Sequence, residues 1–501
     1  MTARVTSAGT GLRARRPRPV LVLGAAIALA ALVAVLISAP GRYIGDNRFE
    51  LYWSPFDLLR RHLAIWDATR GLGRPRWDFW PAPAAAMAVL RGLGLGPALA
   101  ERIWHATLLT TAGTGMVAAL WLFRPRIGVE HWLAAALYAF GPFAAVYLLP
   151  TNLFVGHAFA PWFFVAFVLG VRGERPWRWA ALFALLVFVP GNMNYPALLF
   201  AALPIVPAAL YLVLVERTVT WRRIASWIAS AAMLTLVVSA AALVTTSASG
   251  AINDENLALT ETVQEISRPS SWPESWRGLG FWLTYWGDSR GAIVPQFARY
   301  FWTPVVLLTF AAPLMALAVL WRSRWRPRLL FGGVMLLGLV LMVGAYPLDD
   351  TSPYGHLLLW GFDHFPGFVA IRSGHKAGVM VAFGVAALAA VGAVSALRAA
   401  GRVGGSPRRV LAVRAGAAAV VLAVLAAGSF PFWTGRLYSP AEGARAIPRT
   451  GRRLPTGSTP DRATAASSSC PPPPMARTPG ATPATTSSRA SSPGPRSREG
   501  C

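Results

Sequence analysis

The first apolar segment of the chain runs into PGRYIGDNRFELYWSP, where Asp46 stands a few residues past the segment's end. A carboxylate held that close to a bilayer is partly desolvated, so its pKa rises and it becomes a base fit to take a proton from a hydroxyl. As an ordinary loop acid it would instead stay solvated or pair with Arg42 or Arg48. Asp57 and Asp78 share the stretch but read as a helix-start residue after Ser54-Pro55 and an interfacial loop acid. Far along the chain, FPGFVAIRSGHK puts Arg372, His375 and Lys376, the only lysine, just ahead of another apolar segment. Such a cluster suits an anionic ligand such as a lipid phosphate, bound by charge-assisted hydrogen bonds. The plain alternative is snorkelling of the long side chains to headgroups.

Three further positions carry polar groups at segment ends. In PGNMNYP, Asn192, Asn194 and Tyr195 offer amides and a phenol to sugar hydroxyls, although a tight turn uses the same residues. His157 opens an apolar segment and could meet phosphate or substrate, or serve as a polar helix-end residue. Asp349/Asp350 and Asp363/His364 read as solvated groups, so no metal site is assigned. Phosphate-binding loops, dinucleotide fingerprints, HExxH and nucleophile-elbow motifs do not stand out, so no cofactor is expected and the energy for any reaction must arrive with the substrate.

These groups need a scaffold, and composition says which kind. The chain is 55% hydrophobic and 14% charged, with a mean hydropathy of +0.47, which places it in the membrane class. The formal charge of +26 does not point to nucleic acid, because the arginines fall in short clusters between apolar segments rather than on one face. Both cysteines, Cys470 and Cys501, lie near the C-terminus, leaving the apolar part without a disulfide framework.

Crossing the hydrocarbon takes roughly 20 apolar residues. The predicted fold is therefore an all-α polytopic bundle of about eleven spans. They lie near 19–39, 98–123, 131–150, 157–171, 177–190, 196–215, 224–246, 303–321, 329–346, 377–398 and 409–430. The segments 157–171 and 177–190 are short enough to be tilted, broken or a re-entrant pair. The first segment reads as a retained span rather than a cleaved signal. Cytoplasmic loops are enriched in arginine, so the cluster Arg13, Arg15, Arg16 and Arg18 places residues 1–18 inside. Alternation then puts the clusters around Arg124, Arg172, Arg222, Arg326 and Arg408 inside as well, and the C-terminus outside. External loops 40–97, 247–302 and 347–376 hold most of the acids. In the first, PAPAAAMAVLRGLGLG reads as an interfacial helix, with Trp53, Trp66, Trp77 and Trp80 at the headgroup boundary. The membrane domain is assigned to 19–440, and 450–501 to a low-complexity segment, either disordered or translated out of frame.

The order and spacing of four segments, GDNRFELYWSPFDLL, ERIWHATLLTTAG, PGNMNYPALLFAALP and FPGFVAIRSGHKAGVM, resemble the actinobacterial arabinofuranosyltransferase D family. These are membrane glycosyltransferases of the GT-C class that build cell-wall arabinan. The resemblance implies a multi-pass plasma-membrane enzyme taking a sugar, arabinofuranose in that family, from a polyprenyl-phosphate donor to a cell-envelope polysaccharide acceptor. It places the catalytic carboxylate at Asp46, the donor phosphate at Arg372, His375 and Lys376, and substrate contacts at His157, Asn192, Asn194 and Tyr195. Family members continue into large external carbohydrate-binding modules, whereas this chain runs into the low-complexity segment. Two other readings stand beside it: a transporter or flippase of lipid-linked saccharides, and a non-catalytic partner in cell-wall assembly. A transporter calls for more charge within the spans than these segments carry.

Overall fold

In the computed structural model, the described residues are 18–38, 40, 42–44, 50–68, 72–75, 80–190, 194–248, 262–288, 291–292, 294–365, 368, 371–402, 406–438 and 443–445. Asp46, Asp78, Asn192, Trp77 and the segment 450–501 lie outside them. The protein is a bundle of α-helices, and the short antiparallel β pairings among the described residues form no larger sheet. Each apolar segment expected from the sequence is helical. Among the described residues, 8 helices are long and apolar enough to cross a membrane, and the apolar helices Pro176–Phe188 and Arg328–Val343 are shorter. Pro97–Trp121 is as long as the others but carries Glu101, Arg102 and His105 in its opening turns.

Helix starts follow a common local rule. Proline fixes φ and lacks an N–H that the first turn cannot satisfy anyway, so it suits the opening position. Pro97 after Gly96, Pro142 after Gly141 and Pro407 after Ser406 all use it. Gly141-Pro142 also explains a departure from the sequence reading: the segment 131–150 is broken into Val129–Ala139 and Pro142–Leu148. The next helix, expected at 157–171, begins earlier and runs Thr151–Arg172, long enough to cross unaided.

Gly378–Ala400 is the axis of the bundle, buried over most of its length and packed against Arg328–Val343, Thr303–Arg322 and Val129–Ala139. In lipid, helices gain little from hydrophobic contact with one another, so small residues that allow close approach set the packing. A side chain at Gly384 would stand 2.5 Å from both Phe331 O and Met335 Cβ, and one at Gly338 would stand 2.5 Å from Met380 Cβ. Neither a carbonyl nor a Cβ can swing aside. Gly384→Val is therefore expected to destabilise the bundle by about 1–3 kcal/mol, seen as a lowered thermal midpoint in detergent; an unchanged midpoint would show that the interface is looser than this.

The arginine clusters meet at one end. Arg172 pairs with Glu216, Arg223 donates to Gly173 O, and the Arg124 guanidinium lies 5.0 Å from the Trp325 ring centroid. The polar groups of interest gather at the other end. There the helix expected in PAPAAAMAVLRGLGLG forms as Pro81–Gly92, burying Pro83, Ala84, Met87 and Ala88. Trp53 and Trp66 are exposed, whereas Trp80 is buried against the His62 ring at 4.8 Å between centroids.

Candidate functional site

Two polar arrangements occupy the end opposite the Arg124, Arg172 and Arg223 groups. The first joins the ends of several helices and the described residues on either side of 45–49. Tyr52 donates from its hydroxyl to Thr151 Oγ1 at 3.2 Å, and the same Oγ1 meets His105 Nε2 at 2.7 Å. His105 Nδ1 meets the Tyr438 hydroxyl at 2.8 Å, and either ring tautomer satisfies both contacts. Arg102 donates to Ser38 O at 2.9 Å and lies over the Tyr438 ring at 4.8 Å. Burial, with the Glu101 carboxylate as a second cause, holds the Tyr438 phenol well above its ordinary pKa, so it stays protonated and available as a donor.

These residues are buried polar groups that fold only where partners meet them. They tie the end of the first helix, the 50–53 turn, the start of Pro97–Trp121, the start of Thr151–Arg172 and the chain beyond the last helix into one unit. On the backbone, 42–44 pairs antiparallel with 443–445, Tyr43 opposite Ala444. Both flanks of the 45–49 segment are therefore held, one by this pairing and the other by Tyr52, and both pack on Pro97–Trp121. His105→Ala removes the middle of the chain: the Tyr438 hydroxyl loses its partner, while Thr151 keeps Tyr52. The loss is expected to be about 1–3 kcal/mol for the orphaned phenol, read as a lower midpoint in detergent unfolding; a wild-type midpoint would mean that water replaces the imidazole.

The second arrangement surrounds residues 372–376. The 3-10 turn Gly374–Ala377 leads into the axial helix. A Cβ at Gly374 would sit 2.6 Å from Leu341 O, so glycine is what lets this turn lie against Arg328–Val343. The His375 ring faces inward: Nδ1 meets the Tyr147 hydroxyl at 2.6 Å, and that hydroxyl also lies 3.0 Å from His375 O. Arg372 and Lys376, on either side of it, are half-buried. The structure thus divides the basic trio into a buried imidazole that sets the turn and two cations nearer the surface.

Of the remaining sequence candidates, Asn194, Tyr195 and His157 are described. Asn194 caps the helix Tyr195–Ala202, its side-chain oxygen accepting from Ala197 N at 3.0 Å, and Tyr195 begins that helix half-buried. This helix packs against both Gly374–Ala377 and Thr151–Arg172, where Ala197 O would lie 2.5 Å from a Cβ at Gly156. His157 is in the core, stacked on Tyr138 at 4.0 Å. Its Nε2 contacts Tyr138 O at 2.9 Å, while the Tyr138 hydroxyl donates to His157 O at 2.8 Å.

Residues passed over in the sequence also contribute. Arg277 is buried and bridges elements, donating to Glu274 Oε1 at 2.5 Å, to Thr309 Oγ1 at 2.8 Å and to Tyr300 O. It edges a cavity of about 330 Å³ that is otherwise mainly apolar, with Phe140, Pro313, Val385 and Leu425 in its walls. A smaller apolar cavity of about 70 Å³ shares Leu137, Ala312, Val424 and Leu425 with it, so the two adjoin as an apolar crevice between helices. Glu101, Arg102 and His105 had a legible signal: three ionisable residues in the opening turns of an apolar helix mark a built polar site.

The family profile described as alpha-(1->3)-arabinofuranosyltransferase, N-terminal GT-C domain, matches residues 30–452. Among solved structures, the chain is similar to arabinofuranosyltransferase AftD from Mycobacteria, with a TM-score of 0.57 and 20% identity over 87% of this chain and 28% of that one. A mutant of the mycobacterial enzyme matches with a TM-score of 0.55 and 19% identity, over 87% of this chain and 29% of that one. At these identities the likeness is one of fold, and the chain spans less than a third of the length of the structures it matches. No curated protein matches the chain.

Proposed function

The chain belongs to the alpha-(1->3)-arabinofuranosyltransferase family through its GT-C domain, and from that premise we propose that it transfers a sugar, arabinofuranose, from a polyprenyl-phosphate donor to a cell-envelope polysaccharide on the outer face of the membrane. The N-terminus is cytoplasmic in this reading, residues 19–440 form the catalytic membrane domain, and the end opposite the Arg124, Arg172 and Arg223 groups faces outward. Asp46 takes the proton from an acceptor hydroxyl as that oxygen attacks the anomeric carbon. The bond from that carbon to the phosphate oxygen breaks, and polyprenyl phosphate leaves with the electron pair. Arg372 and Lys376 stabilise the charge on the departing phosphate, while His375 holds their turn through Tyr147. Asn192, Asn194 and Tyr195 line the sugar side, and His157 supports it from beneath.

The observation that carries this reading is the convergence at one end of the bundle. The flanks of the Asp46 segment are anchored through Tyr52 to Thr151, and the 372–376 turn is anchored to Tyr147, across the Leu149-Pro150 corner from Thr151. The apolar crevice edged by Arg277 supports it as well, because an isoprenoid tail needs a greasy path beside the phosphate. The test is donor choice. Membranes carrying the chain, given labelled polyprenyl-phosphate arabinofuranose or the mannose equivalent, should label glycan from the first and not from the second. Labelling from the mannose donor alone would overturn the sugar assignment, and labelling from neither would overturn the transferase reading.

A further inference from the structure

Around the Arg124 and Trp325 pair, and built from none of the residues given a role in the proposed transfer, a pocket of about 930 Å³ opens between the 123–130 turn, the tryptophan at 325 and the helices Gly378–Ala400 and Pro407–Trp433. Arg124, Arg126, Arg398 and Arg414 reach it from separate elements. Its single acid, Glu130, is already engaged, accepting from Arg124 at 3.1 Å. Among the described residues, Arg126, Arg398 and Arg414 form no ion pair with an acid. The Arg124 guanidinium lies over Trp325 and Arg414 packs against Gly401, while Arg126, Arg398 and Arg414 keep exposed surface from which a ligand can be reached. Below the guanidinium groups the wall turns apolar, with Val394, Leu397 and Ala418.

Concentrated, unneutralised guanidinium groups above an apolar wall between membrane helices have the chemistry of an anionic lipid site: phosphate oxygens take the guanidinium forks and acyl chains follow the helix surfaces downward. We propose that this pocket binds the headgroup of an anionic phospholipid, with Arg398 and Arg414 as its principal phosphate ligands. A dry apolar wall favours a lipid over a free anion, since inorganic phosphate would gain nothing from Val394 and Leu397. A zwitterionic lipid brings a cation that the arginines repel.

The test uses the full chain, purified in detergent and stripped of lipid, with thermal unfolding followed after adding cardiolipin, phosphatidylcholine or inorganic phosphate. Cardiolipin should raise the midpoint by several degrees, with little change from the other two. In Arg398→Gln/Arg414→Gln the cardiolipin increment should vanish while the lipid-free midpoint stays at the wild-type value. An equal increment in the variant, or an equal increment from phosphatidylcholine, would overturn the proposal, and so would inorganic phosphate reproducing the effect. Should the double variant fail to fold, native mass spectrometry of the wild type decides: cardiolipin retained at least tenfold over phosphatidylcholine supports the site, and equal retention overturns it.

Discussion

Asp46→Asn is expected to lower the rate of sugar transfer by about 10²–10⁴-fold, with expression and membrane insertion unchanged. The size follows from what the carboxylate does. A general base relieves the attacking hydroxyl of its proton as the bond forms, and asparagine keeps the shape of the side chain without the basicity. Fold should be insensitive to the change, because the elements flanking 45–49 are held by other groups: Tyr52 by Thr151, and residues 42–44 by their pairing with 443–445. The measurement is turnover at saturating donor, with a detergent unfolding midpoint beside it. Loss of turnover with an unshifted midpoint is the expected pair. Unchanged turnover removes Asp46 as the base, and a matched loss of both makes it a structural residue.

Arg372→Gln and Lys376→Gln are each expected to raise the donor KM about 10–100-fold, the equivalent of one charge-assisted hydrogen bond of about 1.5–3 kcal/mol, and to leave the acceptor KM near its wild-type value. The double change should lose more than either single one, since both cations address one phosphate. His375→Ala serves as the contrast. Its ring is buried against Tyr147, so it should lower the unfolding midpoint along with activity. Equal losses toward donor and acceptor in Arg372→Gln would show that the turn, rather than the phosphate, had been disturbed.

Much of the bundle was legible because the bilayer imposes a length on apolar runs and arginine marks one side of them. The corner at Gly141-Pro142 was readable in principle, since that dipeptide opens a helix, yet the apolar run through it hid the break. The site was legible only in part. Asn194 shows why: a cap and a sugar ligand call for the same residue type, and the sequence does not say that its carbonyl oxygen accepts from Ala197 N while its NH2 group is left for another partner. Trp80 looked like its exposed counterparts Trp53 and Trp66, but it is buried with its ring on His62, a contact that leaves no local trace in the sequence. His157 and His375 each depend on a distant tyrosine, Tyr138 and Tyr147, and such pairings leave no local trace. The Glu101, Arg102 and His105 cluster is the opposite case, visible in the sequence as charge where an apolar helix should begin.

The most direct test of the central claim is sugar transfer in sealed right-side-out vesicles carrying the chain, loaded with labelled polyprenyl-phosphate arabinofuranose and a polysaccharide acceptor outside. Label should pass to the external glycan, with vesicles carrying Asp46→Asn at the level of empty ones. Label appearing only when the acceptor is inside, or equally in the Asp46→Asn vesicles, would contradict an outward-facing transferase with Asp46 at its centre.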